Sequence, residues 1–183
     1  NVKVEKCIFI GTDRGLRIKT RRGRGEKSVL TDIVFENIYM KDVSMPFTAN
    51  MFYFCDPDGH SDYVQNQDKM EVDKRTPRIG KIVASNIKCE NVKNVLACFY
   101  GLPEMPIEEI KLSDIIADFD MEENIRPTVP IMMDNFPVMV KKGIFAKNIK
   151  KFILNNVQIK GSKDDNPFVE NIEDCESSGV KFK

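Results

Sequence analysis

Five segments of the chain repeat one short pattern: apolar, any, apolar, any, a polar slot, then apolar, any, apolar. It fits Val2 to Phe9, Ile33 to Met40, Ile82 to Cys89, Ile110 to Ala117 and Phe152 to Ile159. The polar slot holds Lys6, Asn37, Asn86, Asp114 and Asn156, and the next position holds Cys7, Ile38, Ile87, Ile115 and Val157. Alternation of period two marks strands, and helical periodicity is weak elsewhere. Asn and Asp tolerate the left-handed backbone region, so the slot suits a sharp corner between two short strands. The apolar residue after it then points inward and stacks on its counterparts in neighbouring turns.

Further short strands are expected between the copies, at Gly15–Lys19, Asn50–Phe54, Leu96–Tyr100, Pro130–Met133 and Lys142–Phe145. Coils with apolar stacks and polar corners are the mark of a parallel β-helix solenoid. The competing architecture is a β-sandwich of similar strands. The constant phase of the polar slot and the scarcity of hairpin dipeptides favour the solenoid. Residues 55–80 are polar and punctuated by Pro and Gly, and 118–130 are acidic; both read as insertions that leave the coil. After Lys160 the alternation fades, as in a capping segment, with a last partial turn at Phe168–Ile172.

Composition narrows the function. With 28 Lys+Arg against 28 Asp+Glu, the chain has no global bias toward a polyanion. Aromatic and methionine content, 12 Phe and 9 Met, speaks against a disordered chain. There is no apolar run of membrane-spanning length, so no membrane partner is expected. One histidine, His60, leaves no multi-His metal site. The five cysteines (Cys7, Cys55, Cys89, Cys98, Cys175) form no CxxC pair. They read as free thiols, with Cys7 and Cys89 at buried template positions, and lean toward a reducing compartment such as a bacterial cytoplasm; secretion is the alternative. The pattern is already in progress at Asn1, so the expectation is one β-helix domain over 1–183, truncated on its N-terminal side. Oligomeric state is not legible.

The chemically richest stretch is Gly11 to Gly25. On a strand, Leu16 and Ile18 face the core while Arg17 and Lys19 share the outer face, about 7 Å apart. Two cations so spaced can clamp a carboxylate-bearing ligand. The competing possibility is a solvated basic edge, with Arg21, Arg22 and Arg24 decorating a Gly-rich loop. Nucleic acid is disfavoured by the zero net charge and the absence of a binding motif.

The segment Gly15-Leu16-Arg17-Ile18-Lys19-Thr20, after a V-x-V-x-x-C-x-F strand and Gly11-Thr12-Asp13, resembles the RIK segment of glycoside hydrolase family 28, the polygalacturonases and related pectin hydrolases. The GRG loop, the I-x-F-x-N-I coil, the CDPDGHSDYV insertion and Phe99-Tyr100-Gly101-Leu102-Pro103-Glu104 are similar too. The resemblance implies an all-β, right-handed, single-stranded parallel β-helix of the pectin-lyase type. It implies that Arg17 and Lys19 bind a galacturonate carboxylate beyond the cleaved bond, and that Tyr53 lines the same cleft. The partner so implied is a pectic oligo- or polysaccharide, cleaved by inverting hydrolysis of α-1,4-galacturonosidic bonds, with no cofactor and no metal. The family's N-T-D, D-D and G-H-G motifs precede RIK, so no catalytic residue is expected within this chain. Gly11-Thr12-Asp13, Asp164-Asp165 and Gly59-His60-Ser61 are look-alikes in the wrong places. A non-catalytic β-helix that binds acidic glycans is the alternative.

Overall fold

The computed structural model describes residues 1–183. All five polar slots adopt the left-handed region, with φ from 51° at Asn86 to 56° at Asn37. Such a residue turns the chain by a sharp angle, and an Asn or Asp accepts that conformation at less cost than a bulkier side chain. In chain order the strands are β1 (Val2–Glu5), β2 (Ile8–Ile10), β3 (Arg14–Lys19), β4 (Val29–Leu30), β5 (Ile33–Lys41), β6 (Met45–Asn50), β7 (Arg78–Ile79), β8 (Lys81–Val92), β9 (Val95–Tyr100), β10 (Ile107–Phe119), β11 (Lys142–Lys160), β12 (Phe168–Ser178) and β13 (Lys181–Phe182). One short helix, α1 (Asp62–Gln65), interrupts them.

Every ladder is parallel, and all strands but β4 and β7 belong to one sheet that curls around the core. The chain is a parallel β-helix. Each coil presents three faces. One stacks β1 on the starts of β5, β8 and β10 and on the middle of β11. A second lies just past the polar corner. The third stacks β3, β6, β9 and the starts of β11 and β12.

The apolar residue after each corner points inward as expected. Ile38, Ile87, Ile115 and Val157 are register neighbours and are 3%, 2%, 0% and 0% exposed. Each such burial contributes roughly 1.5–3 kcal/mol. The corners are themselves laddered: Asn86 Nδ2 donates to Asn37 Oδ1 at 2.7 Å, and Asn156 Nδ2 to Asp114 Oδ1 at 2.7 Å. Two further ladders of left-handed corner residues, Asp42 with Asn91 and Asn148 with Asn171, were not evident in the pattern. Asn91 donates to Asp42 at 3.1 Å, and Asn171 to Asn148 at 3.1 Å.

Four local expectations are revised. The strand placed at Asn50–Phe54 runs instead over Met45–Asn50, all six residues buried, and the chain departs the coil at Met51. Pro46 in that strand obscured it, because proline ordinarily marks a strand edge. The segment Pro130–Met133 is no strand but part of an excursion over residues 120–141. Its prolines at 127, 130 and 137 lack the N–H that a ladder needs. The last turn expected at Phe168–Ile172 extends as β12 to Ser178, pairing in parallel with the Phe145–Asn155 part of β11. Cys89 is a buried free thiol, whereas Cys7 is only half-buried, because no strand pairs with β1 or β2 on their other side.

Candidate functional site

Strand β3 alternates as its sequence dictates: Leu16 and Ile18 are buried, Arg17 and Lys19 exposed. In register beside them on the next coil are Thr48 and Asn50. Lys19 Nζ donates to the Tyr53 hydroxyl at 2.7 Å and lies 4.0 Å from the centre of its ring. Tyr53 reaches this point because the chain turns off β6 and its N–H bonds back to Thr20 O at 3.2 Å. The Arg17 guanidinium touches Met132 Sδ at 2.9 Å. The structure therefore brings Arg17, Lys19 and Tyr53 to one recess, walled by Pro130 and Met132 from the 120–141 excursion.

Neither Arg17 nor Lys19 has a carboxylate within 4 Å. That sets them apart from the other arginines of the basic stretch, all of which are engaged. Arg14 pairs with Asp13 and donates to Pro130 O at 3.1 and 3.3 Å. Burial lowers the Arg14 pKa from its ordinary value, and the nearby Arg17 charge acts in the same direction. Arg21 bonds Asp56 at 2.7 Å and Asp58 at 2.6 Å, and Arg24 shares Asp56 at 2.5 Å. Arg22 is not loop decoration. Its side chain and that of Glu104 are each 1% exposed and joined by two bonds, at 2.6 and 2.9 Å. Two adjacent unpaired cations on a rigid strand can receive an anion with little desolvation of existing partners.

The acids and the histidine of Gly11-Thr12-Asp13, Asp164-Asp165 and Gly59-His60-Ser61 lie outside the recess lining and make contacts elsewhere. Asp13 faces Arg14. Asp164 accepts from Lys142 Nζ at 2.6 Å and from the Gly143 N–H at 3.0 Å. His60 stacks on Phe54 and meets Asp134 at 2.8 Å, joining the 55–80 insertion to the 120–141 excursion. A second tie between these two segments is the Asp134 N–H donating to Gln65 Oε1 at 2.9 Å. Arg14, Asn50 and Met132, which build the recess wall, were missed. Their contacts span 82 to 116 positions of sequence, and no local spacing announces them.

Residues 1–97 match the family described as Glycosyl hydrolases family 28. Among curated proteins the chain is similar to a polygalacturonase of Arabidopsis thaliana, 25% identical over 63% of this chain and 24% of that protein. It is similar to an exopolygalacturonase of the same plant, 32% identical over 62% of this chain and 23% of that protein. A polygalacturonase of Cryptomeria japonica is 30% identical over 62% of this chain and 20% of its own length. The chain thus spans under a quarter of the length of these relatives over the matched regions. No solved structure matches it at a significant level.

Proposed function

Because the chain belongs to glycosyl hydrolases family 28, we propose that it serves a polygalacturonase-type hydrolase of pectin by receiving a galacturonate carboxylate on Arg17 and Lys19. The observation that carries this reading is the pair of exposed cations without carboxylate partners, beside a tyrosine, in an otherwise neutralised basic stretch. Arg17 supplies a planar fork and Lys19 a mobile point charge, and each charge-assisted bond is worth about 1.5–3 kcal/mol. Tyr53 holds the Lys19 ammonium in place through its hydroxyl and its ring.

In such a hydrolase one carboxylic acid protonates the leaving oxygen while carboxylates on the opposite side activate water. Inversion needs those groups roughly 6.5–9.5 Å apart to admit the water. Arg17 and Lys19 act on the substrate's own charge: without cations, an anionic sugar would be repelled from an acidic catalytic centre. Neither N-T-D nor G-H-G occurs in these 183 residues, so we assign this chain the binding half of the work. It is expected to bind oligogalacturonate without hydrolysing it.

Calorimetric titration of trigalacturonate into the chain tests this. Arg17→Ala and Lys19→Ala should each weaken binding about 10- to 100-fold, in line with the loss of one charge-assisted bond, with unchanged unfolding midpoints. Equal affinity in both variants, or reducing-end release by the chain alone, would refute the assignment.

A further inference from the structure

Residues that point outward from a β-helix ordinarily meet solvent. On the face built from β3, β6 and β9 the outward positions are Arg17 and Lys19, then Thr48 and Asn50, then Cys98 and Tyr100, register neighbours from coil to coil. Only the first pair is exposed. Thr48, Asn50, Cys98 and Tyr100 are 2%, 3%, 0% and 2% exposed, although their side chains face away from the core. The groove floor is open at one coil and sealed on the next two.

Phe52 and Gln67 cover Tyr100 in part, at 4.8 Å between rings and 2.8 Å from its hydroxyl. The rest of the seal, beside Arg17, is the excursion of residues 120–141, folded back across the face and fastened rather than draped. Arg14 holds the Pro130 carbonyl, and Asn50 Nδ2 donates to Met132 O at 3.0 Å. The Asp134 N–H bonds Gln65, and its carboxylate meets His60. Between these ties Ile131 and Met133 are each 3% exposed, plugged onto the sheet. Met132 ends the recess, its sulfur against Arg17. Burial of several apolar side chains together with polar anchors gives a wall that does not open at low cost.

We propose that Arg17 and Lys19 lie at the closed end of the groove and take the terminal uronate of an acidic saccharide, not an internal one. This rests on the carboxylate-binding reading of the pair given above. A polymer threaded along the coil stack over the two cations would have to occupy the space of Pro130, Ile131 and Met132. A chain end meets no such obstacle, and its last carboxylate reaches both cations while the rest of the saccharide leaves on the open side.

The test uses the 183-residue chain with galacturonan trimer, hexamer and long polymer, reading stoichiometry by titration calorimetry. End binding gives one protein per saccharide at every length; protein bound in proportion to polymer length overturns the inference. A second arm uses trigalacturonate carrying a bulky fluorophore at its reducing end or, separately, at its non-reducing end. One of the two tags should weaken binding at least about tenfold, and tolerance of both overturns the inference. Failure of every untagged uronide to bind refutes the Arg17–Lys19 reading itself, and this inference with it.

Discussion

Replacing Arg22 by Met leaves the Glu104 carboxylate buried with no cation. In the native chain Arg22 closes a two-bond pair with Glu104, at 2.6 and 2.9 Å, and donates to Asn66 O at 2.5 Å. Longer contacts reach the carbonyls of Tyr63, Val64 and Asp68, and the guanidinium lies 5.5 Å from the Phe52 ring. One side chain thus fastens the helical part of the 55–80 insertion to the loop that follows β9. Removing one member of a buried pair costs roughly 3–5 kcal/mol, because the survivor loses its only compensation for desolvation. Against a typical stability of about 5–15 kcal/mol this is a large share. For a chain of this size it corresponds to a fall of roughly 6–20 °C in Tm.

Tyrosine fluorescence and far-ultraviolet circular dichroism follow the melt, since the chain has no Trp. Limited proteolysis reports the insertion locally. Arg22→Met should melt early and expose new cleavage sites at 62–68. Arg22→Met with Glu104→Leu should recover most of the Tm, because an apolar pair replaces a charged one at little net cost. It should not restore protease resistance, because the carbonyls of the insertion still lack their donor. An unchanged Tm in Arg22→Met would refute the argument that this pair fastens the insertion.

Two further outcomes follow from local geometry. Asn86→Ala should cost about 2–3 kcal/mol in chemical unfolding, combining the left-handed penalty with loss of the bond to Asn37. Asn86→Gly removes only the bond and should cost about 1 kcal/mol; equal losses in the two variants would show that φ is not what the corner selects. Hydrogen bonding from Arg21 holds the Asp56 carboxyl below its ordinary 3.8. A depressed folded-state pKa contributes stability that is present above the unfolded value and lost as pH falls through the folded one. Protease resistance of residues 55–61 should therefore persist from neutral pH to about pH 4 and fall only in stronger acid. Loss near pH 5 would contradict the pairing.

The solenoid was legible because its rule is local. An Asn or Asp before an apolar residue announces a left-handed corner wherever it falls, and alternation on either side assigns inward and outward faces. Asn37, Asn86, Asp114 and Asn156 follow that rule, and even Lys6 takes the same φ despite a side chain poorly suited to it. The same alternation correctly turned Arg17 and Lys19 outward. It failed at Met45–Asn50, where Pro46 disguised a strand, and at Pro130–Met133, where an apolar run packs onto the outside of a sheet.

What the amino-acid order determined on its own was therefore the coil, its corners, its inward stacks and the outward placement of two cations, because backbone preference and period-two alternation act between neighbours. Which cations stay unpaired was decided only in three dimensions. The acids that neutralise Arg21, Arg22 and Arg24 lie 32 to 82 positions away, and the carbonyl that binds Arg14 lies 116 away. The same holds for the sealed groove: Thr48, Asn50, Cys98 and Tyr100 face outward by pattern, yet they are buried, with the excursion that follows β10 bonded to Asn50 and the segment that follows β6 packed on Tyr100. Pairing and covering depend on through-space proximity, which a solenoid creates between residues whole coils apart and which no spacing along the chain encodes.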